Sequence, residues 1–326
     1  MIEKEALISL AENIERHAFR HGYVSAFTLT AYPTEEHPEL TIHITRECER
    51  LVYGNAEVGS KEAFRACVEA LDGRVDFIVY DVGLFRNVIG IDDIPRGSGK
   101  KSVYLPYSDV SVWSASVHLT LLALMPDLPL RKIVVVSKGK VEGSLTARLL
   151  TDLAWFCEDI WVCNLEDERL SEAGFKEKIF KGADVVIGSA VYQEVIGREE
   201  IILAGGKPLI VDAGIGTISL DASEYARKNG IRMIRVDNRA AMAGTLLSII
   251  QSYDLVTRVM GAGEIGGVKV VAGGIVGEPG TIIVDSIHNP VQVIGIADGT
   301  GKVRYEPKDE EERLRLEQVK RLVEGL

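Results

Sequence analysis

The run Lys132-Ile-Val-Val-Val-Ser-Lys-Gly-Lys-Val-Glu-Gly-Ser-Leu-Thr-Ala-Arg-Leu-Leu150 leaves a chain few ways to fold. Its β-branched start reads as a buried strand, its middle as a turn holding Gly139 and Gly143, and its end as a helix opening at Ser144. A strand that passes through a short glycine turn straight into a helix is the opening of a βα unit. The helix N-terminus it creates presents unpaired backbone N–H groups to an anion. The turn is not the G-x-G-x-x-G of dinucleotide domains. Gly139 nonetheless offers a positive φ or close access to a ligand, and Lys138 and Lys140 add charge beside it.

The strand–helix period continues downstream. Strands at residues 132–137, 159–164, 184–189, 207–212 and 231–236 alternate with helices, and a further helix covers about 239–258. This alternation predicts a parallel sheet covered on both faces. Upstream, a helix over about 3–21, strands near 25–31 and 40–45, a helix over about 60–71 and the buried run Val75–Asp81 indicate a separate α/β unit. Residues 83–101 read as a loop, basic at Arg96-Gly-Ser-Gly-Lys-Lys101. A connecting helix over about 109–125 follows, closed by Pro126 and Pro129. After Gly261, short strands at 268–272, 281–285, 291–296 and 303–305 succeed one another without helices and predict an antiparallel meander. A charged helix from about Lys308 ends the chain, its acidic run Asp309–Glu312 reading as a solvated helix start. The expected fold class is α/β. An N-terminal α/β domain (1–110) leads to a Rossmann-type doubly wound parallel sheet (111–260) and a C-terminal antiparallel β extension (261–326).

Composition narrows the partners. A net charge of −11 argues against nucleic acid and against an anionic membrane surface. The four cysteines show neither C-x-x-C pairs nor zinc-ligand spacing, and no histidine cluster suggests a metal. The start of the chain lacks a signal-peptide pattern, and no apolar run reaches the roughly 20 residues of a membrane helix, so a cytoplasmic protein is expected.

In a parallel sheet, ligands bind at the carboxyl ends of the strands. Here those ends are Ser137–Gly143, Asn164 followed by Glu166 and Asp167, Ser189-Ala190, the run Asp212-Ala-Gly-Ile-Gly216, and Arg235-Val-Asp-Asn-Arg239. Together they outline one cleft. Lys138, Gly139, Lys140, Gly143 and Ser144 are expected around a pyrophosphate, and Asn164 and Glu166 near an adenosine ribose. Ser189, Ala190, Asp212 and Gly214 are expected beside a nicotinamide. The acids suit NAD and the lysines suit NADP, so both cofactors stay open. Asp81, at the end of a buried strand, and Lys101, Tyr107 and Asp109 are the expected groups facing substrate.

The order of these pieces over roughly residues 100–250 resembles the methylene-tetrahydrofolate and methylene-tetrahydromethanopterin dehydrogenases. More broadly it resembles the two-domain family that includes shikimate and amino-acid dehydrogenases. The resemblance rests on Leu105-Pro-Tyr-Ser-Asp109 before the connecting helix and on the turn Ser137–Gly143. It also rests on Ala183-Asp-Val-Val-Ile187 followed by Ile210-Val-Asp-Ala-Gly-Ile215. It implies an NAD(P)-dependent oxidoreductase acting on a small metabolite, a pterin one-carbon carrier or an amino or hydroxy acid, in an interdomain cleft.

Two readings compete. The Asp212–Gly216 turn also looks like the methionine-facing turn of an S-adenosylmethionine-dependent methyltransferase, although the helix-free residues 262–306 leave that fold incomplete. A non-catalytic nucleotide-binding or assembly protein is the other. The strand edges of the C-terminal extension need cover, which predicts a homodimer.

Overall fold

A computed structural model describes residues 4–31, 39–95, 101–125, 129–141 and 144–325. The chain divides into two compact units, Met1–Leu246 and Leu247–Leu326. The first opens with helix α1 (Lys4–His21) and strands β1 (Val24–Ala31), β2 (Leu40–Cys48) and β3 (Leu51–Val58). Helix α2 (Lys61–Leu71), strand β4 (Phe77–Asp81), the short helix α3 (Leu84–Asn87) and strand β5 (Val103–Tyr107) follow. Their sheet has the order β2-β3-β1-β4-β5. All its pairings are parallel except that of β2 with β3.

Because pleating sends successive side chains to opposite faces, this sheet has two characters. Phe27, Leu29, Val52, Ala56, Ile78 and Tyr80 point one way and pack on Leu7, Ala11 and Ile14 of α1 and Phe64, Cys67 and Leu71 of α2. Residues of the other parity include Thr28, Thr30, Asn55, Glu57, Asp81 and Tyr107. They lie close together because β1 pairs Thr28 with Asn55 and Thr30 with Glu57, and β4 pairs Asp81 with Tyr107. A polar face is thereby built at the carboxyl end of a buried sheet.

Neither β3 nor β5 stands among the strands expected from the sequence, and each has a local reason. Gly54 and Asn55 interrupt β3, yet glycine is required there: a Cβ on Gly54 would come within 2.5 Å of the Phe27 ring. Pro106 interrupts β5, which runs along the sheet edge, where a missing N–H is tolerated.

The second sheet follows helix α4 (Asp109–Leu124). It alternates β6 (Leu130–Ser137), α5 (Leu145–Leu153), β7 (Cys157–Asn164), α6 (Phe175–Phe180), β8 (Val185–Gly188), α7 (Arg198–Ala204), β9 (Leu209–Asp212), α8 (Leu220–Lys228) and β10 (Met233–Arg235). Every pairing is parallel, in the order β10-β9-β8-β6-β7. Val134, Val136, Val186 and Ile210 pack with Ile179, Phe180, Ile201, Ala222 and Ala226 of α6, α7 and α8. Ile133, Val135, Val185, Ile187 and Val211 pack with Val117, Leu121, Leu145, Leu149 and Leu153 of α4 and α5. Burial on both faces explains why these strands read as unbroken apolar runs. The expected doubly wound parallel sheet is present. Its strand order places the topological switch, where a ligand crevice opens, between β6 and β8.

Helix α9 (Arg239–Asp254) and one π turn (Leu255–Val259) lead to the remaining strands. The second unit holds β11 (Gly261–Ile265), β12 (Val268–Ala272), β13 (Ile282–Val284), β14 (Val293–Ala297), β15 (Val303–Arg304) and helix α10 (Glu310–Glu324). The strands pair in chain order. The expected antiparallel extension is present, with one parallel pair, β12 with β13, inside it. Leu316 and Val319 of α10 pack on Val270, Ile282 and Ile296. Asp309 caps α10 by accepting the Glu312 N–H at 2.8 Å. Glu312 itself is not solvated, as the acidic run suggested. It is buried, pairs with Arg304 at 2.9 Å and 3.0 Å, and accepts the Lys308 N–H, contacts that hold its carboxyl below the usual range.

Candidate active site

A cleft of about 390 Å³ opens where the carboxyl ends of the parallel strands of the first unit's two sheets face each other. Thr30, Asn55, Glu57, Asp81 and Asp109 line one wall. Ser137, Lys138, Lys140, Ser144, Thr146, Ser189, Ala190 and Gly214 line the other. Of the residues expected in the site, Asp81, Asp109, Lys138, Lys140, Ser144, Ser189, Ala190 and Gly214 are brought together here.

The acid wall is held by a hydrogen-bond chain. Asn55 Nδ2 donates to Thr28 Oγ1 at 2.7 Å and Thr30 Oγ1 at 3.0 Å, and Thr30 shares a 2.6 Å bond with the Tyr107 hydroxyl. Tyr107 is thus buried behind the wall instead of facing the cleft, and burial raises its pKa so far that the phenol stays protonated. Asp81 Oδ1 accepts the Asp109 backbone N–H at 3.1 Å, which fixes the start of α4 against β4. Ser108 caps the same helix. Asp109 then carries its own carboxyl into the cleft, where Oδ1 is buried with no hydrogen-bond partner. Burial, then the charges of Asp81 and Glu57, push its pKa up to about 7, against a hydrogen bond from Trp113 that pulls it down. A carboxyl poised near neutrality suits proton transfer.

The opposite wall is the β6–α5 turn. Gly139 takes φ +85° in open space, the left-handed backbone the sequence allowed it. Its carbonyl accepts from Asn164 Nδ2 at 3.0 Å, and Asn164 Oδ1 accepts the Glu166 N–H at 3.2 Å. Gly139, Asn164 and Glu166 therefore shape the turn from behind and do not line the cleft. Gly143 lies outside the described residues. Ser144 is the N-cap of α5. Ser137 Oγ, at the end of β6, is buried, lines the cleft and has no partner. Ser189 Oγ is fixed by Thr146 Oγ1 at 2.7 Å and the Val136 carbonyl at 3.2 Å.

The floor comes from the β9 loop. Asp212 does not flank the cleft. It is buried, and its carboxylate accepts the Gly216 N–H at 2.8 Å, the Thr217 N–H at 3.2 Å and the Thr217 hydroxyl at 2.8 Å. It braces the loop that brings Ala213, Gly214 and Ile215 to the surface of the cleft. Lys101 is elsewhere too. It sits just before β5, at the amino end of a parallel strand whose carboxyl end serves the cleft, and its stem lies over Gly73.

The sequence reading did not single out Thr30, Asn55, Glu57, Trp113, Thr146 and Tyr192. Asn55 and Glu57 were hidden with β3 itself. The polar residues at alternate positions of β1 and β3 were the available signal. Among the described residues no group of histidine, cysteine or acid side chains is arranged to hold a metal. Burial raises the Cys67 thiol to about 12 and the Cys163 thiol to about 11, which removes both as nucleophiles. No helix among the described residues is long and apolar enough to cross a membrane.

No family model matches the chain, and no curated protein matches it. Among solved structures it is similar to the N5,N10-methylenetetrahydrofolate dehydrogenase-cyclohydrolase of Trypanosoma brucei, solved with NADP and an inhibitor (12% identity, 77% of this chain and 95% of that one, TM-score 0.42). It is also similar to a chorismate mutase/shikimate 5-dehydrogenase fusion protein from Clostridium acetobutylicum (14%, 72% and 97%, 0.38). A third similar structure is the aspartate transcarbamoylase of Trypanosoma cruzi (11%, 76% and 89%, 0.37). Likeness at this level decides neither activity nor substrate.

Proposed function

We propose that the cleft is the active site of a nicotinamide-dependent oxidoreductase acting on a small metabolite. One observation carries the reading. Two buried polar atoms without a protein partner, Ser137 Oγ and Asp109 Oδ1, line the same cleft from opposite walls. Buried polar groups rarely go unpaired, so both call for a ligand that reaches across.

The residues present fit a dinucleotide. Ser137, Lys138, Lys140 and the first N–H groups of α5 would hold the pyrophosphate at the switch between β6 and β8. Ser189, Ala190 and Gly214 leave a shallow backbone surface against which a flat ring can rest. A nicotinamide held there supplies hydride donation or acceptance. Asp109 manages the accompanying proton. Its carboxylate takes one when an alcohol or amine is oxidised, and its acid form returns one in reduction. Burial first, then the charges of Asp81 and Glu57, keep the Asp109 proton exchangeable near neutral pH.

Ligand-induced thermal stabilisation tests this. A ligand present at a hundred times its Kd stabilises the fold by about 2.7 kcal/mol, which for a unit of this size raises the midpoint by roughly 5–10 °C. NADP or NAD is expected to give such a rise and S-adenosylmethionine none. A rise with S-adenosylmethionine alone transfers the site to methyl transfer, and no rise with any of the three removes the dehydrogenase reading. The Asp212 carboxylate, fully engaged by its own loop, favours the first outcome.

A further inference from the structure

Beside the cleft lies a second chamber of about 430 Å³, and the two share Asn55, Glu57, Trp113, Tyr192, Ile215 and Asn238. The lysines of the β6–α5 turn line the first chamber and not the second. The second is lined instead by Arg46 of β2, Arg235 of β10 and Arg239 of α9. Three guanidinium groups on one chamber stand out in a chain of net charge −11.

Arg239 is occupied, closing on Asp237 two residues before it. Arg46 and Arg235 take part in no ion pair among the described residues. Arg46 Nε is buried without a hydrogen-bond partner, and His43, on the same wall, holds its Nε2 3.5 Å from Glu57 Oε1. Beside Arg46 stands Tyr53, whose phenol burial keeps protonated and able to donate. The Arg46 guanidinium is half-buried, bonded to the Tyr53 oxygen and near the Asp237 charge, yet its buried Nε is left without an acceptor. A buried donor without a partner is unfavourable, and the planar guanidinium fork matches carboxylate and phosphate oxygens.

The neck between the chambers is held in an unusual backbone. Tyr192 and Ile215 take φ +53° and +64°, a region that a β-branched residue such as isoleucine rarely enters. The Tyr192 N–H donates to the Gly214 carbonyl at 2.9 Å, so the two strained segments are tied to each other. Strain of this kind is retained where surrounding structure enforces it, commonly at ligand sites.

We infer that the second chamber is the anion subsite of the substrate, in which Arg46 and Arg235 take a carboxylate or phosphate group while the reacting carbon lies at Asp109. Its second half rests on the oxidoreductase reading; the anion site itself does not. The test is calorimetric titration of the full chain at low ionic strength with two probes, succinate and inorganic phosphate. At least one is expected to bind, and which of them binds identifies the anion. Its affinity is expected to fall about tenfold or more in Arg46→Gln and in Arg235→Gln, the loss of a charge-assisted hydrogen bond, and to hold in Lys138→Gln. Arg235 is exposed, so Arg235→Gln decides the matter even if Arg46→Gln fails to fold. No binding by either probe, or binding that Lys138→Gln removes and Arg235→Gln spares, overturns the subsite. A parallel titration with NADP and NAD separates the two ideas. If arginine-dependent anion binding is found without dinucleotide binding, the subsite stands and the oxidoreductase reading falls.

Discussion

Asp109→Asn is expected to stabilise the protein at pH 8 and to leave it unchanged at pH 3. The Asp109 carboxyl lies at about 7 when folded, against an ordinary 3.8, so the folded chain holds this proton more tightly than the unfolded chain does. Below about pH 3 both states are protonated and the group contributes nothing. Between about 4 and 7 the unfolded chain releases its proton while the folded chain keeps it, and stability falls as pH rises. Above 7 the full penalty is in place. A displacement of that size is worth up to about 4 kcal/mol. Asparagine keeps the shape and an acceptor for Trp113 but carries no charge, so the penalty disappears. Thermal midpoints should lie several degrees above wild type at pH 8, at roughly 2–4 °C per kcal/mol, and coincide at pH 3. A variant less stable than wild type at pH 8 contradicts the placement of this carboxyl. A side chain that burdens the fold at neutral pH is what a proton-transfer role for Asp109, as proposed, would require.

Gly214→Ala is expected to damage both fold and cofactor binding, whereas Gly139→Ala affects the fold only mildly. A Cβ on Gly214 would stand 2.3 Å from the Ala190 carbonyl oxygen and 2.8 Å from the Thr217 side chain. The first contact is with backbone, so relief requires moving the loop that forms the cleft floor. That places the cost near the upper end for overpacking, about 3 kcal/mol, or roughly 6–12 °C in the midpoint. The shifted loop should also abolish stabilisation by NADP. At Gly139 a Cβ meets nothing within 4 Å, and only the φ of +85° opposes it, for about 1 kcal/mol. Equal effects of the two substitutions would show that the floor of the cleft is not built as described.

The second sheet was legible in the sequence because burial on both faces leaves continuous apolar runs, and caps such as Ser144 mark where its helices begin. The β6–α5 turn followed from it. The first sheet was less legible. Its inner face is polar, so β3 offers Tyr53, Asn55 and Glu57 at the alternate positions and a glycine in mid-strand. Once β3 and β5 are missed, the direction of the chain through residues 83–109 is lost with them. That is how Lys101 was expected to face substrate although it lies at the amino end of β5, while Asp109, just after β5, lines the cleft. Asp212 shows a different limit. An acid at a strand end reads alike whether it meets a ligand or its own loop, and only Thr217, five residues on, distinguishes the two. The orphaned atoms that define the site, Ser137 Oγ and Asp109 Oδ1, are properties of packing with no trace in the sequence.

The most direct test of the cleft is the electron density of crystals grown with NADP. The pyrophosphate is expected against Ser137, Lys138, Lys140 and the start of α5, with the nicotinamide resting on Ser189 and Gly214 and facing Asp109. A dinucleotide bound elsewhere, or a cleft that stays empty at millimolar NADP and at millimolar NAD, would contradict the assignment of this cleft as a nicotinamide site.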